Sequence, residues 1–226
     1  MSLNRIKTVS LIVFSILLVI LIVSFIGLLS GVRKGEKIGV VELDGVITDS
    51  RQVMKEIVRH KEDDAIRAVI LRINSPGGSV APTQEIYREI QKLKEKKKVF
   101  TSMGSVCASG GYYIASVTDK VYANPSTITG SIGVIMEQMV IEDLLKKIGI
   151  QSNTLKAGDL KDAGSVFRKM TDAERRYFNA FMKEIHDQFI ADVAAGRNMP
   201  VDAVARLSDG RIYTGSHAKR VNLVDA

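Results

Sequence analysis

Ala68-Val69-Ile70-Leu71-Arg72-Ile73-Asn74-Ser75-Pro76-Gly77-Gly78 is a short, nearly unbroken apolar run stopped by a proline and two glycines. A run of this length bounded by turn residues suits a buried parallel strand. Helical periodicity follows from about Pro82 to Lys96, where Ile86, Ile90 and Leu93 form one stripe. Lys96-Lys97-Lys98 makes a solvated helix end that the helix dipole favours. Val99-Phe100-Thr101-Ser102-Met103 is the next strand. Upstream, Ile38 to Leu43 reads as a strand ended by Asp44-Gly45, and Arg51 to His60 as a helix with Val53, Ile57 and Val58 on one side. Downstream, the turn Gly104 to Gly111 leads into a short apolar helix that includes Tyr112, Tyr113, Ile114 and Ala115. Strands are expected around Lys120–Ala123, Ile132–Met136 and Ile150–Leu155, with a helix around Ile141–Lys147. Thr171 caps a long helix through Ala195, its inner face marked by Phe178, Phe181, Ile185, Phe189 and Val193. This alternation implies an α/β domain with helices around a parallel-rich sheet. There is no repeat of 20–50 residues and no low-complexity stretch.

The chain has 226 residues, 46% of them hydrophobic and 25% charged, which excludes disorder and argues for a real core. A single cysteine, Cys107, rules out an internal disulfide and a cysteine-based zinc site. With three histidines and no HExxH pair, no metal or other cofactor is expected. Two of the seven net positive charges are Arg5 and Lys7, and the +5 left on the remainder is scattered. No basic stripe interleaved with aromatics accompanies it, so no nucleic-acid partner is expected.

Val9 to Leu29 is a run of 21 residues without a charge, after a flank of residues 1–8. As a helix it would be roughly 31 Å long, enough for a hydrocarbon core of about 30 Å. A cleavable leader has a shorter apolar region, typically about 7–15 residues, and ends in small-x-small. Gly27-Leu28-Leu29-Ser30-Gly31 offers no clean site of that kind, so an uncleaved anchor over 9–29 is expected. Arg5 and Lys7 flank one end and Arg33, Lys34 and Lys37 the other, so the positive-inside count does not orient it. Residues 30–37 form a polar linker and 38–226 the folded domain.

Two glycine-rich strand ends carry chemistry. Ser75-Pro76-Gly77-Gly78 can expose backbone N–H groups able to hold an anion, although a plain strand–helix turn is the simpler reading of it alone. It is neither GxxxxGK[ST] nor GxGxxG, so nucleotide binding drops away. Ala108-Ser109-Gly110-Gly111 places a serine where a strand yields to a helix, with the Gly110 N–H beside it. A helix-capping serine is the simpler reading of that turn alone. Cys107 stands at the first glycine of a GxSxG elbow, which disfavours an α/β-hydrolase. His60, His186 and His217 all lie in charged or terminal contexts that single out none of them as a base. A desolvated lysine is the other option, and Lys161, in the loop Lys156 to Gly164, is one of many.

Several ordered blocks together are more specific: Asn74-Ser75-Pro76-Gly77-Gly78, Ala108-Ser109-Gly110-Gly111-Tyr112-Tyr113, Thr129-Gly130-Ser131-Ile132-Gly133-Val134, Lys156-Ala157-Gly158 through Lys161-Asp162, and Gly210 to Gly215 through Leu223-Val224-Asp225. From about Ile38 to Asp225 the chain resembles the short, single-domain signal peptide peptidases of the SppA type, Ser–Lys proteases on a ClpP/crotonase-like fold. The family commonly has Ser-Pro where this chain has Ser165-Val166, and a glycine where it has Asn222. The resemblance implies Ser109 as nucleophile and Lys161 as general base. It also implies the N–H groups of Gly78 and Gly110 as oxyanion hole, and Ser131 as the residue that orients the lysine. It further implies a homo-oligomeric ring or dome, and leaves open whether the dyad is completed within one subunit or across a subunit boundary. The catalytic domain would lie outside the cytoplasmic membrane, and the substrates would be apolar peptides left from signal sequences. The rivals are a related membrane-bound protease acting on membrane proteins or a stomatin-like partner, and a non-catalytic scaffold of the same fold.

Overall fold

The computed structural model describes residues 3–29 and 35–226, with side chains for 11–24 and from 35 onward. The chain divides into two compact units, Met1–Lys37 and Ile38–Ala226. The first holds helix α1 (Leu3–Leu29). Its described side chains are apolar and exposed apart from two serines, of which Ser15 donates its hydroxyl back to the Leu11 carbonyl at 2.9 Å. Among the described residues no helix is long and apolar enough to cross a membrane. The anchor expected over 9–29 falls within α1, and the side chains of 9–10 and 25–29 lie outside the described residues. Residues 1–2 of the expected flank and 30–34 of the expected linker lie outside the described residues.

The second unit is a mixed α/β fold. In chain order it contains β1 (Lys37–Asp44), α2 (Arg51–Glu62), β2 (Ile66–Ser75), α3 (Val80–Lys94), β3 (Lys98–Ala108), α4 (Gly110–Ser116), β4 (Lys120–Tyr122) and β5 (Ile128–Gly130). These are followed by α5 (Glu142–Lys147), α6 (Asp172–Arg197), α7 (Val201–Ala205), β6 (Ile212–Thr214) and α8 (Gly215–Arg220). The sheet order is β1-β2-β3-β5-β6, with β4 also paired to β3. β2, β4 and β5 all run parallel to β3, and β6 is antiparallel to its neighbour β5.

β3 is the spine of the sheet, and it is longer than its apolar pattern suggests. Its first half pairs with β4 at Phe100–Ser102, and its second half with β5 at Val106–Ala108. Those two short strands share one edge and keep β3 extended through Gly104, where composition alone reads a turn. The strand therefore ends directly at Ser109.

On one face of the sheet, Val41, Leu43, Leu71 and Ile73 meet Val53 of α2, Ile86 and Ile90 of α3, and Ile114 of α4. Ile57, Ile86, Ile90 and Leu93 are fully buried, so the predicted α3 stripe is the packed one, whereas Val58, expected on the inner side of α2 with Val53 and Ile57, is 40% exposed. The opposite face departs from the expectation of a strand buried on both sides. Ile70, Phe100 and Ser102 there are half-buried, while Val40 and Arg72 are exposed. The described helices cover one face of β2 rather than surround it, so its burial alternates with the pleat.

Two expected strands are absent. Residues 131–141 carry no strand: Gly210 N–H donates to the Ile132 carbonyl at 3.1 Å, and no ladder continues beyond it. Residues 150–156 likewise join no described ladder, with Ile150 N–H donating back to the Leu145 carbonyl at 2.9 Å and Leu155 93% exposed. A strand requires a partner for its N–H and C=O groups, and no described strand lies alongside either segment. α6 begins as predicted at Thr171, which forms a capping box with Glu174. Its inner face is buried only in the second half, at Phe189 and Val193, while Phe181 is 49% exposed.

Candidate active site

Ser109 sits between a strand and a helix with no residue to spare. Ala108 pairs with Gly130 at the end of the β3–β5 ladder, and Ser109 N–H donates to the Gly130 carbonyl at 2.8 Å. The Ser109 carbonyl already accepts Tyr113 N–H at 2.9 Å, closing the first turn of α4. Changing from extended to helical within one residue leaves Ser109 at φ +50° and ψ −122°. A side chain in such a sparsely populated region costs about 1–3 kcal/mol. The strain persists because α4 behind it is buried along its whole length, with the Tyr112 hydroxyl donating to the Leu223 carbonyl at 2.8 Å. The result presents the serine hydroxyl at the top of the turn, as a nucleophile elbow does.

A bulge in β3, opposite Asn74 of β2, brings the second glycine turn to this hydroxyl. Ile73 pairs with Met103 and Ser75 with Cys107, so Asn74 alone opposes Gly104 to Val106, and the ladder bends there. Asn74 holds the bend: its Nδ2 donates to Asp44 at 2.8 Å, and its Oδ1 accepts Val106 N–H at 3.3 Å. Beyond the bend, Gly77 packs against the nucleophile so closely that a Cβ there would lie 2.6 Å from Gly110 N and 2.8 Å from Ser109 Cβ. Gly78 is locked by Ile47, which donates its N–H to the Gly77 carbonyl at 2.9 Å and accepts Ser79 N–H at 2.7 Å. A Cβ on Gly110 would lie 3.4 Å from Gly78 N, so the two amides are near neighbours. Among the described residues neither of these N–H groups donates a hydrogen bond. Two free amides beside a serine hydroxyl can hold the oxyanion formed when that hydroxyl attacks a carbonyl.

Ser109, Gly78, Gly110 and Ser131 all line one cavity of about 470 Å³. Ser131 has a φ of +51° and is held by donating its N–H to the Arg211 carbonyl at 2.8 Å. Apolar side chains from several elements, including Val80, Val134, Ile185 and Phe189, form much of the wall. Asp209 also borders the cavity, and its hydrogen bonds from Arg211 hold the carboxyl down at about 2.

Lys161 is not brought into this cavity. It lies exposed in the turn-rich segment after Gly158, its N–H donating to the Gly158 carbonyl at 3.2 Å. Of the histidines, His60 pairs with the Val40 carbonyl at 3.2 Å and His217 stands edge-on to Tyr213, both away from the serine. His186 does share the cavity, and its Nε2 is buried without a partner among the described residues. Sequence reasoning passed over His186 because its helical neighbours are charged. Its position i−3 from buried Phe189 was the available signal. Cys107 is fully buried behind the turn, and burial pushes its thiol pKa up, as suits a packing residue. Among the described residues no cluster of histidine, cysteine or carboxylate could hold a metal.

A serine on a strained strand–helix turn, beside two free amides and in a cavity of mixed polar and apolar lining, suits an acyl-transfer enzyme of the serine-hydrolase class. Comparison with known proteins narrows that class to peptidases. The model of peptidase family S49 matches residues 91–226, and that of Clp protease matches residues 39–129. A Synechocystis protein named as a candidate protease is 40% identical over 191 residues, covering 84% of this chain and 69% of its own length. An Enterococcus faecium protein named as a candidate signal peptide peptidase, SppA, is 37% identical, covering 84% of this chain and 59% of its own. A Methanocaldococcus jannaschii protein named as a candidate protease is 34% identical, with 98% and 78% covered. The chain belongs to peptidase family S49 and is a serine protease.

Proposed function

We propose that this protein is a membrane-anchored endopeptidase that cleaves apolar peptides, above all signal-peptide remnants, through a dyad of Ser109 and Lys161. The observation that carries the reading is Ser109 itself, strained at φ +50° beside the free amides of Gly78 and Gly110. Those amides would form the oxyanion hole, and Ser109 would form an acyl-enzyme that water hydrolyses. The apolar wall formed by Val80, Val134, Ile185 and Phe189 suits an apolar peptide. The uncharged run 9–29 would anchor the protease in the cytoplasmic membrane as a single span, with the catalytic domain outside and near bilayer-confined substrates.

Lys161 enters the reading through assembly. Ile135, Met139, Leu144, Ile148, Ile150 and Leu155 are all 51% exposed or more, far more apolar surface than a solitary domain keeps along one segment. A homo-oligomeric ring or dome would cover this segment, supply the missing ladder partners, and carry Lys161 to a serine cavity. Once desolvated there, its amine would lose its proton more readily and could accept the one from Ser109.

The experiment is the pH dependence of single-turnover acylation, because His186 is the competing base on the cavity wall. Lysine catalysis requires a pKa depressed to about 7–8, so acylation should rise through that range and vanish in Lys161→Ala. A midpoint near the ordinary histidine value of about 6.5, lost in His186→Ala and kept in Lys161→Ala, would assign the base to His186 instead. Ser131, on the same wall, would hydrogen-bond and orient the lysine amine. Ser131→Ala should therefore slow acylation roughly 10- to 1,000-fold, since general-base assistance is worth about 10²–10⁴, with little change in unfolding temperature. Unchanged acylation would remove Ser131 from the mechanism.

A further inference from the structure

Lys161 is followed directly by Asp162, so a carboxylate travels with the lysine wherever the turn docks. A free carboxylate there would favour the ammonium form, which is the wrong state for a base. The structure shows what that carboxylate does instead. Asp162 Oδ2 accepts Arg168 Nε at 2.9 Å, and its Oδ1 accepts Lys156 Nζ at 2.5 Å. Its carbonyl accepts Arg168 Nη2 at 3.3 Å. The Asp162 side chain is only 12% exposed, folded inward while Lys161 faces solvent. Arg168 first, and Lys156 second, pull its carboxyl well below the usual carboxylate range.

The other side of the same guanidinium grips α6. Arg168 Nη1 donates to Glu174 Oε2 at 2.9 Å, and Nη2 donates to Oε1 at 2.5 Å. Glu174 is 4% exposed and already fixed by the capping box, accepting Thr171 N–H at 2.8 Å. One planar fork thus spans two carboxylates, a geometry lysine cannot reproduce. The charged groups around Asp162 are Lys156 and Arg168 from its own segment and Glu174 from α6. Further out, Glu142 of α5 accepts Lys169 N–H at 3.4 Å and pairs with Lys146 at 2.6 Å; Asp143 lies 3.7 Å from the same amine.

We propose that Arg168 is a positioning residue for the lysine turn: by holding Asp162 it neutralises the carboxylate next to Lys161, and by holding Glu174 it ties that turn to α6. The proposal rests on Lys161 being the base. It adds a reason why a lysine with an aspartate as its immediate neighbour can give up its proton near neutral pH. It also predicts a signature that scaffolding alone would not produce. Loss of Arg168 should shift the lysine titration, and removal of the Asp162 charge should shift it back.

The test is single-turnover acylation of the full chain by a peptide ester, measured against pH in wild type, Arg168→Met, Asp162→Asn, the double variant, Arg168→Lys and Lys161→Ala. Arg168→Met should move the midpoint about one unit more alkaline, a tenfold loss at pH below the midpoint, and leave the high-pH plateau within about threefold. The double variant should return the midpoint to the wild-type value. Arg168→Lys, which keeps the charge and loses the fork, should lie between. An Arg168→Met midpoint equal to wild type, or a double variant that stays alkaline, overturns the proposal. If Arg168→Met cannot fold with its two carboxylates unpaired, Asp162→Asn decides: its midpoint should hold or fall, and an alkaline shift overturns the proposal. Acylation that survives in Lys161→Ala would instead remove the dyad on which the proposal stands.

Discussion

Ser109→Ala and Lys161→Ala are each expected to lower peptide turnover by about 10⁴- to 10⁶-fold, the range seen when a member of a catalytic unit is removed. The two losses should not add, because nucleophile and base act in one step. Labelling by a fluorophosphonate should disappear entirely in Ser109→Ala. Stability should separate chemistry from structure at the same position. Alanine inherits the φ of +50° that Ser109 holds, so Ser109→Ala should unfold at nearly the wild-type denaturant concentration. Ser109→Gly should be as inactive but more stable, by about 1 kcal/mol, because glycine occupies that region without the steric cost. Substantial turnover by either alanine variant, purified free of wild type, would sink the dyad. A glycine variant less stable than the alanine one would show that the turn is not strained.

Gly78→Ala should combine a large stability loss with a catalytic one. The new Cβ would lie 2.1 Å from the Ile47 carbonyl oxygen and 2.6 Å from Ile47 N, both backbone atoms with no flexible end to move aside. Relief requires breaking the bonds that flank the bridge, Ile47 N–H to Gly77 O and Ser79 N–H to Ile47 O. A cost of about 2–4 kcal/mol is expected, in the upper part of the usual range for single substitutions. Moving the Gly78 amide should also slow acylation by about 10²–10³-fold, as loss of one oxyanion donor does. Urea unfolding and single-turnover kinetics read the two effects separately. Wild-type acylation in a folded Gly78→Ala protein would take this amide out of the oxyanion hole.

Much of the fold was legible because its signals are short-range. The runs at 68–73 and 99–103, the stripe Ile86, Ile90 and Leu93, and the Thr171 cap each depend on residues within one or two turns of each other. Each is present as an element in the structure. The unpaired segments at 132–136 and 150–155 were misread for the complementary reason. Their residues suit strands, but a strand also needs a partner, and partners are long-range. The open face of β2 was missed similarly, since an apolar residue does not itself say what will cover it.

The site divides along the same line. The sequence by itself determined that a serine would sit where a strand passes into an apolar helix, that a glycine-rich turn would follow another strand, and that a long uncharged run would lead the chain. Only the tertiary structure placed the Gly78 amide beside Gly110 and put His186 on the same cavity wall. It alone also gave Ser109 its φ of +50° and joined Asp162 to Glu174 through Arg168. Propensity and turn chemistry act over a few residues and can be read directly. Bringing Gly78, Gly110 and His186 together across thirty or more residues depends on the β2–β3 register, the β3 bulge opposite Asn74 and the burial of α4, which only packing sets.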